Sequence, residues 1–371
     1  MAPISLQSEP DQRQSISAKP RRYGPSPLWV AFLVGLFCVG IFGTAAVIHR
    51  QLPFPPIATV KGKVGWFVEH GDQYDTLFVG SSRTNCHIIP ELFDRLMAQA
   101  GMPTHSFNLG LNGMRPPEDT FVLETALSKR RAPLKLVVAE LNEIHVYTND
   151  DEAHGTSRAV YWHDWKRFMA VSRAVLEMKV EGRRKLSPMG ILWKLDALRY
   201  NLNLYLSRTL SAGRGLDCLE ARLATTEQTF LGDVGSRFDG YLRYDTPLQT
   251  INDAEWDVLK SRLAKGAKKP VRFNYGTKAS QLELQEKQRL VESFGGRMVT
   301  FVPPLPSGNV FTLNPARQPD VDCFDFADPG LYPELFQREN RFDSGHLNQQ
   351  GAEIFTRLLV KKIVAEKQVW K

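Results

Sequence analysis

From Leu28 to Ile48 the chain runs for 21 residues without a charged side chain, through Leu, Val, Phe, Ile, Gly and Ala. As an α-helix such a run spans about 30 Å, the thickness of a bilayer's hydrocarbon core. Residues 27–49 are therefore expected to form a transmembrane anchor, with the lipid bilayer as a partner. The polar lead is long, the apolar run exceeds a signal-peptide core, and no A-x-A cleavage pattern follows, so the anchor is read as uncleaved. Arg13, Lys19, Arg21 and Arg22 precede it, and His49, Arg50, Lys61 and Lys63 follow. The stronger basic bias in front places the N-terminus in the cytoplasm and the chain from about residue 51 outside the cytoplasmic (inner) membrane, in the periplasm or extracellular space. Residues 1–26, polar and rich in Pro, Ser, Gln and Arg, read as a disordered cytoplasmic tail. Residues 50–72 read as a linker stiffened by Pro53, Pro55 and Pro56.

Beyond the linker the pattern is α/β. Thr76-Leu77-Phe78-Val79 is a short apolar run closed by Gly80, the mark of a buried strand. Glu91 to Gly101 has helical spacing, His105 to Gly110 suits a second strand, Pro117 to Arg131 a helix and Leu134 to Leu141 a third strand. The alternation resumes with a helix over Lys278 to Phe294, a strand over Arg297 to Val302 and a terminal helix over Leu347 to Glu366. The expected core is a three-layer parallel sheet flanked by helices, flavodoxin-like in type, over 73–147 and 276–371. Residues 148–275 interrupt it. They carry helical patterns at Tyr161 to Met178 and Met189 to Leu210, and a Gly-punctuated hairpin pattern around Phe230 to Tyr244. They read as a mainly helical insertion or lid region, either wall or scaffold. Trp162, Trp165 and Trp193 suit packing better than sugar stacking.

The net charge of +7 is spread out, with mild clusters at Lys129-Arg130-Arg131, Arg183-Arg184-Lys185 and Lys265 to Lys269. None is interleaved with a nucleic-acid motif. They suit solvated loops and helix ends, or contact with anionic lipid headgroups or an anionic polymer. Cys38, Cys86, Cys218 and Cys323 match no zinc or redox spacing and imply no disulfide framework. His145, His154 and His163 recur every nine residues, which is no metal motif. No metal and no cofactor is expected.

Three places carry possible chemistry. Gly80-Ser81-Ser82-Arg83 sets hydroxyls at a strand-to-helix turn, where a serine is either a helix cap or an exposed nucleophile. Asp343-Ser344-Gly345-His346 sets a carboxylate three residues before an imidazole, either a capping loop or a base with its orienting acid. Asn108-Leu109-Gly110 and Leu141-Asn142 follow the second and third strands and offer amide donors for an oxyanion. Arg83 suits either an anionic substrate group or a surface helix charge, and Cys86 a packed thiol.

Ser, Gly, Asn and His thus fall at successive strand ends in that order, the last near the C-terminus. This layout resembles the SGNH/GDSL hydrolase superfamily, over roughly residues 73–147 and 278–366. More narrowly it resembles the membrane-tethered branch tied to polysaccharide and teichoic-acid acylation, which shares an anchor, a G-S-S or G-T-S block and a D-x-x-H block. The resemblance implies Ser82 as nucleophile, His346 as base and Asp343 as orienting acid. It implies an oxyanion hole from Ser82 N–H, Gly110 N–H and the Asn142 amide. It departs from the family where Gly-Asp-Ser becomes Gly80-Ser81-Ser82 and where Gly-x-Asn-Asp becomes Glu140-Leu141-Asn142-Glu143. The function it implies is a serine esterase or O-acyltransferase acting on acyl, chiefly acetyl, esters of a cell-surface polysaccharide or related envelope polymer, with a membrane-bound O-acyltransferase as donor partner. The alternative is a catalytically silent relative that binds glycan or scaffolds a membrane acylation complex.

Overall fold

The computed structural model describes residues 26–51, 60–148, 157–178, 188–211, 214, 234–243, 250–268, 273–274, 277–305, 311–312 and 322–366. The tail before residue 26 and the prolines at 53, 55 and 56 lie outside these. The apolar run forms α1 (Pro27–Gln51), and 22 of its residues, Pro27–Ile48, make a helix long and apolar enough to cross a membrane.

A π-helical turn, Lys61–Gly65, runs into α2 (Trp66–His70). Then come β1 (Thr76–Val79), α3 (Ser82–His87), α4 (Pro90–Gln99), β2 (Ser106–Asn108), α5 (Glu118–Leu127) and β3 (Leu136–Glu140). The insertion supplies α6 (Ser157–Tyr161), α7 (Trp165–Glu177), α8 (Pro188–Thr209) and α9 (Asp253–Lys268). The chain returns through β4 (Phe273–Asn274), α10 (Lys278–Ser293), β5 (Arg297–Val302), β6 (Phe311–Thr312), β7 (Cys323–Asp325) and α11 (Gln349–Ala365).

Five strands form one parallel sheet in the order β2-β1-β3-β5-β7, while β4 and β6 make a separate parallel pair. The strands read as unbroken apolar runs because both faces are covered. Leu77, Val79, Val137 and Ala139 join a core built with Phe67 of α2, Leu123 of α5 and Val291 of α10. Phe78, Leu136, Val138 and Phe301 join the opposite core, with Phe93 of α4 and Phe355 of α11. The alternation within each strand is the period of two that a pleated backbone imposes. A third core packs the insertion's Trp162, Val171, Ala197 and Leu204 onto Phe121 of α5 and Ala279 of α10.

The sheet order reverses between β1 and β3, so their carboxyl ends flank the crevice where open α/β sheets take ligands. The edge beside β2 is covered. Asn108 N–H donates to the Asp239 carbonyl at 2.8 Å, and Tyr74 Oη to the Phe238 carbonyl at 2.6 Å. Gly240 makes this approach possible: its φ is +78°, and a Cβ there would sit 2.2 Å from the Asn108 carbonyl oxygen.

Two expectations differ from this architecture, and two of its elements were not expected. The stretch expected as a hairpin is, over residues 234–243, a loop closed by Gly240 N–H on the Val234 carbonyl at 2.8 Å. Polar turn residues there suit a loop as well as a hairpin. The strand Cys323–Asp325 and the helix Asp253–Lys268 have no counterpart in the sequence reading, the strand having a single buried apolar residue, Phe324. The span 50–72, expected as linker, is folded from Val60 onward: Val60, Val64 and Phe67 follow helical spacing and are buried in the core beneath β1.

Phe67 is 1% exposed and lies against the rings of Tyr74 and Phe107. Replacing it tests whether this segment belongs to the domain. Phe67→Ala should cost roughly 3–5 kcal/mol in urea unfolding of the detergent-solubilised chain, where a linker position would cost almost nothing.

Candidate active site

The short helix α3 begins at the end of β1 and is capped by Ser81, whose hydroxyl accepts from Arg83 N–H at 3.3 Å. Ser82 is the first residue of α3, where the helix offers its N–H no acceptor. Of the two serines at the turn, Ser81 is turned inward and Ser82 is half-buried at the surface. Gly80 allows this turn: a Cβ there would meet Thr84 Oγ1 at 2.1 Å and the Glu140 carboxylate at 2.7 Å.

Glu140 ends β3 with its side chain wholly buried. Its Oε2 accepts from Ser81 N–H at 2.8 Å, Ser81 Oγ at 2.7 Å and Thr84 Oγ1 at 3.0 Å. Arg83 Nε lies 3.3 Å from its Oε1. Burial alone pushes this carboxyl up. The Arg83 charge and hydrogen bonds from Ser81 and the Asn142 amide outweigh burial and hold it below its ordinary value. It is an anion at neutral pH, locked under the serine turn.

The far end of α3 is held as firmly. The Asn108 amide donates to the carbonyls of Thr84 at 2.8 Å and Ile88 at 3.0 Å. His87 is fully buried, and its Nε2 accepts from Leu347 N–H at 2.9 Å. Burial first, then the charges of His346, Arg341 and Arg83, push the His87 pKa well below the ordinary histidine value, so its ring is neutral. Leu347 follows His346, so this bond ties the histidine loop directly to the serine's own helix.

The loop itself is a tight turn organised by Asp343. Its Oδ1 accepts from Gly345 N–H at 2.6 Å and His346 N–H at 2.8 Å. Arg341 anchors the turn from below. It is fully buried, donates through Nε to the Leu335 carbonyl at 2.9 Å, and stacks over Phe336. Burial lowers the Arg341 pKa to about 10 while Asp343 opposes the shift, which leaves the guanidinium charged.

These elements bring three side chains into line. His346 Nδ1 lies 2.8 and 3.0 Å from the two Asp343 carboxylate oxygens, and its Nε2 lies 2.8 Å from Ser82 Oγ. Burial pushes the Asp343 carboxyl up. The His346 ring, with the Gly345 and His346 N–H groups, outweighs burial and holds the carboxyl below its usual range. An imidazole whose Nδ1 is held on a carboxylate turns its Nε2 to the hydroxyl, the arrangement by which a base removes a proton from a nucleophile.

The other expected residues are placed differently. Gly110 packs against α3, but its N–H donates to Asn108 Oδ1 at 2.9 Å rather than toward Ser82. Asn108 is responsible: its amide hydrogens serve α3, which aims its oxygen back at Gly110. The Asn142 amide carries two hydrogens and gives one to Glu140. Arg83, expected either at a substrate or at the surface, has a side chain only 17% exposed and is engaged by Glu140. Cys86 is buried with its thiol pushed up by burial, and Trp162 is a core residue, whereas Trp165 is 58% exposed. Among the described residues no cluster of three or more His, Cys, Asp or Glu gathers as a metal site, and Cys38, Cys86 and Cys323 are free thiols. Cys218 and His154 lie outside the described residues.

The supporting roles of four residues escaped the sequence reading: Lys63, Glu140, His87 and Arg341. Lys63, 0% exposed, donates to Asn85 Oδ1 and, at 2.8 Å, to the Gly110 carbonyl. A lysine among helically spaced apolar residues and a glutamate closing a buried strand are signals that burial would demand partners.

No family model, curated protein or solved structure matches this chain.

His87 supplies a pH test. A base whose folded pKa is depressed binds protons mainly in the unfolded state, so its contribution is complete above about pH 6.5 and is lost as pH falls below that. His87→Gln keeps an acceptor for Leu347 N–H. It should flatten the fall of unfolding free energy as pH drops below about 6.5, relative to the parent chain, as followed by urea unfolding at a series of pH values.

Proposed function

We propose that this chain is a membrane-anchored, extracytoplasmic serine esterase or O-acyltransferase of SGNH type, with Ser82 as nucleophile, His346 as base and Asp343 as orienting acid. The observation that carries the reading is the continuous relay from Asp343 through His346 to Ser82 Oγ, with each link at 2.8 Å. Its position at the carboxyl ends of β1 and β3, where the sheet order reverses, supports it further.

In the proposed reaction Ser82 Oγ attacks the carbonyl carbon of an ester or thioester and yields its proton to His346 Nε2. Asp343 stabilises the imidazolium and keeps the ring oriented. The developing oxyanion lies against the Ser82 N–H, with the Asn142 amide beside it. Collapse breaks the bond to the alcohol or thiol, which leaves with the proton from His346. A sugar hydroxyl or water then attacks the acyl-serine, gives its proton to His346, and restores Ser82. Glu140 and Arg83 hold the serine turn and stay outside the proton path. Gly110 N–H would join the oxyanion hole only by leaving Asn108.

The acyl acceptor in this reading is an exported polysaccharide or related envelope polymer, with acetyl as the transferred group and a membrane-bound O-acyltransferase as donor. The apolar helix α1, long enough to span a bilayer, supports placement at a membrane.

A fluorophosphonate probe should label the parent chain and Ser81→Ala but not Ser82→Ala. Absence of labelling in the parent would favour a silent accessory role. Asp343→Asn should keep the fold and lower ester turnover by roughly two to four orders of magnitude, since the imidazole loses its orienting acid. Removing the gene should lower the acetyl content of a surface polysaccharide, measured by base-released acetate.

A further inference from the structure

Helix α8 is apolar on two opposite faces. Ala197, Tyr200 and Leu204 are buried in the core shared with α7. On the other side Ile191, Leu195, Leu202 and Leu206 are between 40% and 57% exposed. At 100° per residue these four fall within an arc of about 60°, facing away from the buried set. A helix on a water-facing surface carries polar side chains there.

The neighbouring α7 extends the same surface. Trp165 is 58% exposed and packs its ring against Tyr205, 5.6 Å away. Leu176 is 60% exposed, and its carbonyl accepts from Lys194 Nζ at 2.7 Å. The stripe is therefore bordered at both ends by a further apolar side chain.

The charge around it has one prevailing sign. Arg199 borders the stripe and Arg173 is exposed on α7. Asp196 is the exposed acid on the same side of α8. Aliphatic side chains, a tryptophan and arginines that can extend past them are the set that settles at the boundary between acyl chains and anionic headgroups.

The chain also limits how far this face can lie from a membrane. Residues 52–59 alone separate α1 from the folded segment that begins at Val60. Nine peptide steps reach at most about 30 Å, so with α1 in a bilayer the domain stays beside the lipid surface. Confinement of this kind makes even a weak apolar contact persistent.

We propose that the α7–α8 face rests on the anionic lipid surface and sets the orientation of the domain on the membrane. The proposal rests on α1 crossing the bilayer and is independent of the chemistry at Ser82.

The test is photo-crosslinking of the full chain reconstituted in vesicles of phosphatidylethanolamine and phosphatidylglycerol. The photoreactive residue benzoylphenylalanine replaces Leu195, Leu202 or, as control, Arg95, which is exposed on α4 across the sheet. Because these positions are exposed, the substitutions leave the core intact, which circular dichroism verifies. Lipid-sized mass additions at 195 and 202, absent at 95 and unchanged in a Ser82→Ala background, are expected. No lipid adduct at 195 and 202, equal adducts at 95, or a product of twice the chain mass, which would make the face a contact between copies, would overturn it.

Discussion

A carboxylate with no access to water must be supplied with hydrogen bonds, and Glu140 draws its supply from the turn that carries the serines. Ser81 gives it both a backbone and a hydroxyl hydrogen, Thr84 a second hydroxyl, and Arg83 a charge. Desolvating a lone carboxylate costs several kcal/mol, so this turn cannot relax without exposing an uncompensated charge. That penalty fixes the start of α3, and with it the direction in which Ser82 points. Gly80 is the corollary, since a side chain there would occupy the space of the Glu140 carboxylate.

The same short helix is held at its other end by a different chemistry. His87, neutral and enclosed, accepts the N–H of Leu347, and Asn108 caps the carbonyls of Thr84 and Ile88. The distance between Ser82 Oγ and His346 Nε2 is therefore not left to two flexible side chains. It is set by a six-residue helix clamped at one end by an anion and at the other by an imidazole that touches the histidine loop. Arg341 completes the scheme by pinning that loop onto the Leu335 carbonyl. Such a supporting layer is what holding a hydroxyl and an imidazole in fixed register requires.

Much of this was legible in the sequence, and the exceptions have physical causes. The strands β1, β3 and β5, the helices that cover them and the apolar α1 each carry enough periodicity or length to be read directly. Ser82, Asp343 and His346 were legible because chain order along an α/β sheet fixes which loops meet at one edge. Strand β7 was not, because only Phe324 of its three residues is buried, with Asp322 and Asp325 on either side of it, which leaves no apolar run to read. The segment from Val60 to His70 was misread because prolines before it suggested a linker, while its apolar spacing is short and interrupted by glycines at 62 and 65. The direction of the Gly110 N–H depends on where Asn108 spends its amide hydrogens, which is a matter of tertiary contact and leaves no trace in spacing. Glu140 looked like a departure from a motif and is instead the residue around which the serine turn is built.

Lys63 carries a consequence for how the protein can be divided. Its ammonium group lies beneath Asn85 and the Gly110 carbonyl, in contact with the helix that carries Ser82, yet in the chain it belongs to the stretch that follows the apolar helix α1. A soluble version cut at residue 73, where the α/β pattern first declares itself, would discard that cation together with Val64 and Phe67 and leave a polar void behind the serine. The folded α/β domain therefore begins by Val60, close behind the apolar helix α1, and a cut placed later removes part of its core.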